Sequence, residues 1–227
     1  MTALIVGAGP GMGRAIAAAL GPGDGPVALI ARRAESLAAL EADLAAVGVT
    51  AQGFCADIED EQQLRGAIAE ARSALGPFRV VAFNASQFVP GPPSSIPLPE
   101  FRAGLAAGLT AALITVQATV ADLRGATPEG CLLFTGGGLA TNPWPPGIGL
   151  AIQKAGLRHF ALAAADELRP EGVSVSIVTI RGTIEAGGPF DPARIAAVFA
   201  ELAVPGRERP VEVTYTDTGP DWQLALP

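Results

Sequence analysis

Short apolar runs rich in β-branched residues alternate along this chain with longer Ala-rich stretches, in which apolar positions recur every three to four residues. The runs place strands at Ala3–Val6, Val27–Ala31, Val49–Cys55, Arg79–Asn84, Gly130–Thr135, Val173–Ile180 and Val211–Thr216. The stretches between them place helices at Gly11–Leu20, Ala34–Val47, Glu59–Leu75, Pro99–Leu123, Ile148–Leu168 and Pro192–Leu202. Strands alternating with helices build right-handed βαβ units, hence a parallel sheet covered by helices on both faces. The early strands are apolar at nearly every position, as burial of both faces requires. The expected architecture is a single α/β domain over 1–227, with a doubly wound, mostly parallel, seven-stranded sheet. One stretch breaks the rhythm: Pro90–Pro99 carries prolines at 90, 92, 93, 97 and 99 and must be a loop. It follows the fourth strand, so it either rims a ligand site at the strands' carboxyl ends or serves as a rigid surface connection.

Composition narrows the function classes. With 227 residues and 49% hydrophobic content the chain can bury a sizeable core. Its formal charge is −7 and no block of Lys or Arg stands out, which argues against nucleic acid or an anionic membrane as a partner. Cys55 and Cys131 lie in apolar strand-like runs and read as buried thiols of a reducing compartment, not as a disulfide framework. The chain enters its first strand with no basic segment before it, unlike a signal peptide. No apolar run reaches the roughly 18 residues needed to span a bilayer. These points together place the protein in the cytoplasm.

The chemistry begins at Gly7-Ala8-Gly9-Pro10-Gly11-Met12-Gly13, between the first strand and the first helix. Gly7 permits a tight turn, while Gly11 and Gly13 let the backbone approach a pyrophosphate and let the helix pack on the strand. The helix N-terminus supplies unpaired N–H groups and positive dipole. A glycine run alone is weak; in this strand–turn–helix setting it predicts a Rossmann dinucleotide site, with Gly7, Gly9, Gly11, Met12 and Gly13 at the phosphates. The second strand ends in Arg32-Arg33, where a carboxylate would bind ribose hydroxyls. Arginine there suits a 2′-phosphate, so the expected cofactor is NADP(H). The alternative is a solvated helix start that happens to be basic.

The glycines at 7, 11 and 13, Asp57 after the third strand, Asn84-Ala85 ending the fourth, and Lys154 in the helix after the fifth together resemble the short-chain dehydrogenase/reductase family. The resemblance covers nearly the whole chain, in order. It implies that Asp57 and Ile58 hold the adenine and that Asn84 and Ala85 line the nicotinamide ribose. Lys154 would bind that ribose's hydroxyls, as a member of the catalytic set. Gly182 and Thr183, in Arg181-Gly182-Thr183, would pass under the carboxamide. Asp57 reads equally as the N-cap of the Glu59–Leu75 helix, and the two roles are compatible. The resemblance also implies a homodimer or homotetramer, to which the many alanines and glycines of Pro99–Leu123 and Ile148–Leu168 would contribute, unless they serve only to pack those helices on the sheet.

The departures from that pattern matter as much. The family's tyrosine acid/base sits four residues before the lysine, and here that position is Leu150. Its serine ends the fifth strand, where this chain reads Phe134-Thr135-Gly136-Gly137-Gly138, with Gly137 in the serine's place. Its helix asparagine aligns with Gly108. Leucine moves no proton, and glycine offers only its backbone N–H. His159, the sole histidine, lies five residues after Lys154 and points away from its face. Tyr215, the sole tyrosine, lies in the last strand, and Asp166-Glu167 read as a solvated face. Thr135 is the remaining hydroxyl near the expected nicotinamide, although a strand-end residue bonding its own loop explains it as well. The segment from Arg181 to Asp191 leaves little room for a lid. Two functions stand: an NADP-dependent oxidoreductase of a small-molecule substrate with an atypical active site, or a non-catalytic NADP(H)-binding sensor or structural subunit.

Overall fold

The computed structural model describes residues 2–222, without the side chains of residues 22–24. Its elements run β1 Thr2–Val6, α1 Met12–Asp24, β2 Val27–Ala31, α2 Ala34–Ala45, β3 Ala51–Cys55, α3 Glu61–Leu75, β4 Phe78–Phe83, α4 Leu98–Leu105, α5 Ala111–Gly125, β5 Gly130–Gly137, α6 Ile148–Leu168, β6 Val173–Ile180, α7 Pro192–Leu202, β7 Glu212–Thr216 and β8 Gly219–Asp221. One sheet orders them β3-β2-β1-β4-β5-β6-β7-β8. β1 to β7 pair in parallel, and β8 pairs antiparallel to β7. The sequence pattern predicts seven strands, and the structure adds the eighth. Gly219-Pro220-Asp221 carries no apolar alternation and returns as a hairpin on the edge, where proline's missing donor is tolerated.

Alternation along β1 shows why the strands read as continuous apolar runs. Ala3 and Ile5 join the core on one face, with Ile16 and Leu20 of α1, Leu40 of α2 and Phe199 of α7. Leu4 and Val6 join the core on the other, with Ile68 of α3, Ile114 of α5 and Leu157 of α6. Each face thus buries its own layer, and neither can be polar. Chain order reverses direction between β1 and β4, which leaves a crevice beyond their carboxyl ends.

Three local expectations change. Cys131 is buried, but Cys55 is exposed at the end of β3, the edge strand of the sheet. The helix after β3 begins at Glu61, and its N-cap is Asp60, which accepts the Gln63 N–H at 3.0 Å. Asp57 instead accepts the Glu59 N–H at 3.1 Å, closing the turn before the helix. The long helix after β4 starts at Leu98, and a π turn at Ala106–Thr110 joins α4 to α5 into a continuous 28-residue helix. By length and composition this Leu98–Gly125 helix is able to cross a membrane. It packs instead on β4, β5, α3 and α6 within the domain.

Candidate functional site

A cleft of about 680 Å³ opens over the carboxyl ends of β1, β2, β4, β5 and β6. Its first wall is the glycine turn. Gly7 has φ +86°, and a Cβ there would lie 2.6 Å from the Ala85 nitrogen, so the residue both makes the turn and lets β1 and β4 approach. A Cβ on Gly13 would lie 2.8 Å from the Ala8 Cα, so Gly13 seats α1 against the strand. A Cβ on Gly9 or Gly11 would meet nothing within 4 Å. Gly9 is half-buried in the cleft wall and Gly11 is exposed, so packing against the protein requires glycine at neither position. Gly9 and Met12 line the cleft where the unpaired N–H groups of the first turn of α1 gather.

At the far end of β2, Arg32 lines the cleft and stands 3.9 Å from the Glu59 carboxylate. Arg33 is exposed beside it as the N-cap residue of α2. Ile58 and Glu59 close this end.

The opposite end is built by a chain of hydrogen bonds across three strand ends. Asn84 Nδ2 donates to the Gly7 carbonyl at 3.0 Å, and Asn84 Oδ1 accepts from the Thr135 hydroxyl at 2.9 Å. The Thr135 carbonyl in turn accepts from Lys154 Nζ at 2.8 Å. Lys154 is buried, and burial alone pushes its ammonium down from 10.5 to about 8. Leu150, one helical turn before it, also lines the cleft, as do Gly136, Gly137 and Gly138. A Cβ on Gly137 would rest 3.5 Å from the Lys154 Cγ, so the space above the lysine's aliphatic stem is open.

The short chain dehydrogenase family profile matches residues 1–185. The chain belongs to the short-chain dehydrogenase family. It is 24% identical over 219 residues to glucose 1-dehydrogenase of Gluconobacter oxydans, covering 94% of this chain and 82% of that protein. It is 26% identical over 203 residues to oxidoreductase asL5 of Sarocladium schorii, covering 89% and 75%. Among solved structures, a metagenomic short-chain oxidoreductase in complex with NADP superposes with a TM-score of 0.83 at 27% identity, over 94% of this chain and 96% of that one. A short-chain dehydrogenase from Streptomyces avermitilis shares the fold with a TM-score of 0.84 at 23% identity, over 94% and 86%.

Of the residues that the sequence singles out, Gly7, Gly9, Met12, Arg32, Ile58, Asn84, Ala85, Lys154 and Gly182 line the cleft together. Gly11, Gly13, Arg33, Asp57 and Thr183 stand beside it without lining it. Gly182 is covered by Phe190, whose ring carbons would lie 2.2 Å from a Cβ there. Thr135 bonds Asn84 rather than its own loop, and its hydroxyl is committed. His159 is exposed on α6, and the Tyr215 hydroxyl donates to the Pro189 carbonyl at 3.2 Å; neither lines the cleft. The proline-rich stretch does not line it either. Its Gly91 N–H donates to the Pro146 carbonyl at 2.9 Å, which ties it to the β5–α6 connection. Sequence reasoning missed Ser86 and Gln87, which form the wall after β4, and Glu59 opposite Arg32. Their polarity is ordinary for a loop, and only the path of the chain brings them to the cleft.

Proposed function

We propose that this chain binds NADP(H) in the cleft and is an oxidoreductase whose nicotinamide end lacks the usual hydroxyl acid. The observation that carries the binding is the pair of bare positions, Gly9 and Gly11, at the N-terminus of α1 beside the cleft. An anion's oxygens there would accept the free N–H groups of the first turn. Arg32 and Arg33 at the other end favour a 2′-phosphate, since a guanidinium fork matches phosphate in two bonds. The NADP carried by the metagenomic relative supports the same choice. Asn84 and Ala85 would line the nicotinamide ribose, with Lys154 donating to its hydroxyls. Asp57 and Ile58 would flank the adenine, and Gly182 and Thr183 would lie by the carboxamide.

When bound, the dinucleotide supplies hydride transfer. The protein's part is to orient and to provide a proton, and here the second task is poorly served. Leu150 occupies the place of the family's tyrosine and Gly137 that of its serine. No tyrosine, histidine or aspartate side chain is among the cleft's described lining. Ser86 is the one hydroxyl in that lining besides the committed Thr135. Loss of a general acid costs about 10²–10⁴-fold in rate. A panel of simple aldehydes and ketones with NADPH at high protein concentration tests this. Turnover below about 1 s⁻¹ is expected, and ordinary rates above it would show a proton donor that this reading does not contain. The Leu150–Lys154 arrangement also favours a second reading, a protein that binds NADP(H) as a sensor or structural subunit and turns nothing over. We further propose a homodimer or homotetramer in the cytoplasm.

A further inference from the structure

The residues after Asn84 and Ala85 form the cleft wall through Ser86 and Gln87, yet they belong to no helix or strand. A loop without ladder bonds keeps a fixed shape only if something else holds it. Here one side chain does. Gln153, 1% exposed on α6, accepts the Gln87 N–H at Oε1 over 3.1 Å. Its Nε2 donates to the Gln87 carbonyl at 2.8 Å and to the Gly149 carbonyl at 3.1 Å. Both backbone polar groups of one loop residue are thus read by a single carboxamide, which spends three of its four hydrogen-bonding positions. Gln87 does not hold itself there, because its own Oε1 is buried without a partner.

The facing helix is cut to seat this side chain. A Cβ on Gly108 would lie 2.3 Å from Gln153 Oε1, and one on Gly104 would lie 2.8 Å from Gln153 Nε2. Glycine inside a helix is less favourable than alanine, so two of them one turn apart against the same carboxamide have a packing reason. Gly108 also lies in the π turn, a distortion often found beside functional sites. Position 108 is where the family resemblance places an asparagine. In this chain the carboxamide that fills that space comes from α6.

We propose that Gln153 is a positioning residue for the nicotinamide end of the cleft, acting through the Gln87 backbone to fix the wall formed by Ser86 and Gln87, with Gly104 and Gly108 as its seat. The effect on ligands rests on the nucleotide-binding reading above; the clamp itself does not. Gln153→Met keeps length and packing but removes the bonds to residue 87. The test titrates this variant and the unmutated protein with NADPH and with 2′,5′-ADP, which carries the phosphorylated adenosine end but no nicotinamide. NADPH affinity falls by about tenfold, the scale of one or two net hydrogen bonds, while 2′,5′-ADP affinity stays the same. Equal loss on both ligands, or on neither, overturns the proposal. Hydrogen exchange is the independent arm. The Gln87 amide is protected in the unmutated protein and exchanges faster in Gln153→Met; unchanged exchange refutes the clamp whether or not any nucleotide binds. If the unmutated protein binds neither nucleotide, the functional reading fails, and the exchange arm still decides the clamp. Gly108→Ala completes the set. It weakens NADPH in the presence of Gln153 and is tolerated in a Gln153→Ala background, a coupling expected only of residues in contact. A harmless Gly108→Ala in the unmutated protein would show that the seat is not one.

Discussion

Lys154 shows what one buried residue costs and what it is kept for. Its ammonium has one carbonyl partner, the Thr135 oxygen, and no carboxylate depresses the penalty of burial. Its pKa is about 8 in the folded chain against 10.5 when solvated. The folded state therefore holds that proton less tightly than the unfolded state. The resulting destabilisation is complete below about pH 8, shrinks as pH rises, and is gone above 10.5. The gap corresponds to about 3 kcal/mol. Lys154→Met should therefore be more stable than the parent at pH 7, by about 3 kcal/mol at most, and lose that advantage toward pH 10. Urea denaturation at the two pH values measures this. A variant less stable at pH 7 would mean that the ammonium is better solvated than its burial indicates. The same variant should lose NADPH affinity, the familiar exchange of stability for a working site.

Among the elements, the turn from β1 to α1 separates structural glycines from those kept for a ligand. Gly7 has a left-handed φ and Ala85 against it, whereas Gly9 has an ordinary φ and open space. Gly7→Ala should therefore lower the melting temperature and abolish binding together, at a cost of about 2 kcal/mol or more. Gly9→Ala should leave melting unchanged and weaken NADPH alone. Thermal melts with a parallel titration separate the two, and a matching loss of stability in Gly9→Ala would remove the argument for a phosphate cradle. This turn was legible in the sequence because its function lies in backbone shape, which glycine spacing encodes. The parallel strands were legible because both faces of β1 are buried and leave an unbroken apolar run. Other features were not. β8 has no apolar pattern, and Asp57 and Asp60 are both acceptable caps until the chain's path picks Asp60. Ser86, Gln87 and Gln153 matter through contacts across 66 residues of sequence, and local pattern carries no such information.

For the whole molecule, the outer faces of α5 and α6 leave Leu113 and Ile152 43% and 40% exposed. Apolar side chains on neighbouring helices suit burial against another copy. Light scattering at micromolar concentration should therefore report a dimer or tetramer, and a monomer would remove the proposal. The cleft is polarised, with the proposed phosphate cradle at α1, two arginines at one end, and a lysine beside leucine and glycine at the other. Direct titration of the unmutated protein with NADPH and with NADH tests it in one measurement. NADPH should bind at least about tenfold tighter, a difference of about 1.4 kcal/mol supplied by Arg32 and Arg33 at the 2′-phosphate. Equal affinity for the two nucleotides, or binding of neither, would contradict it.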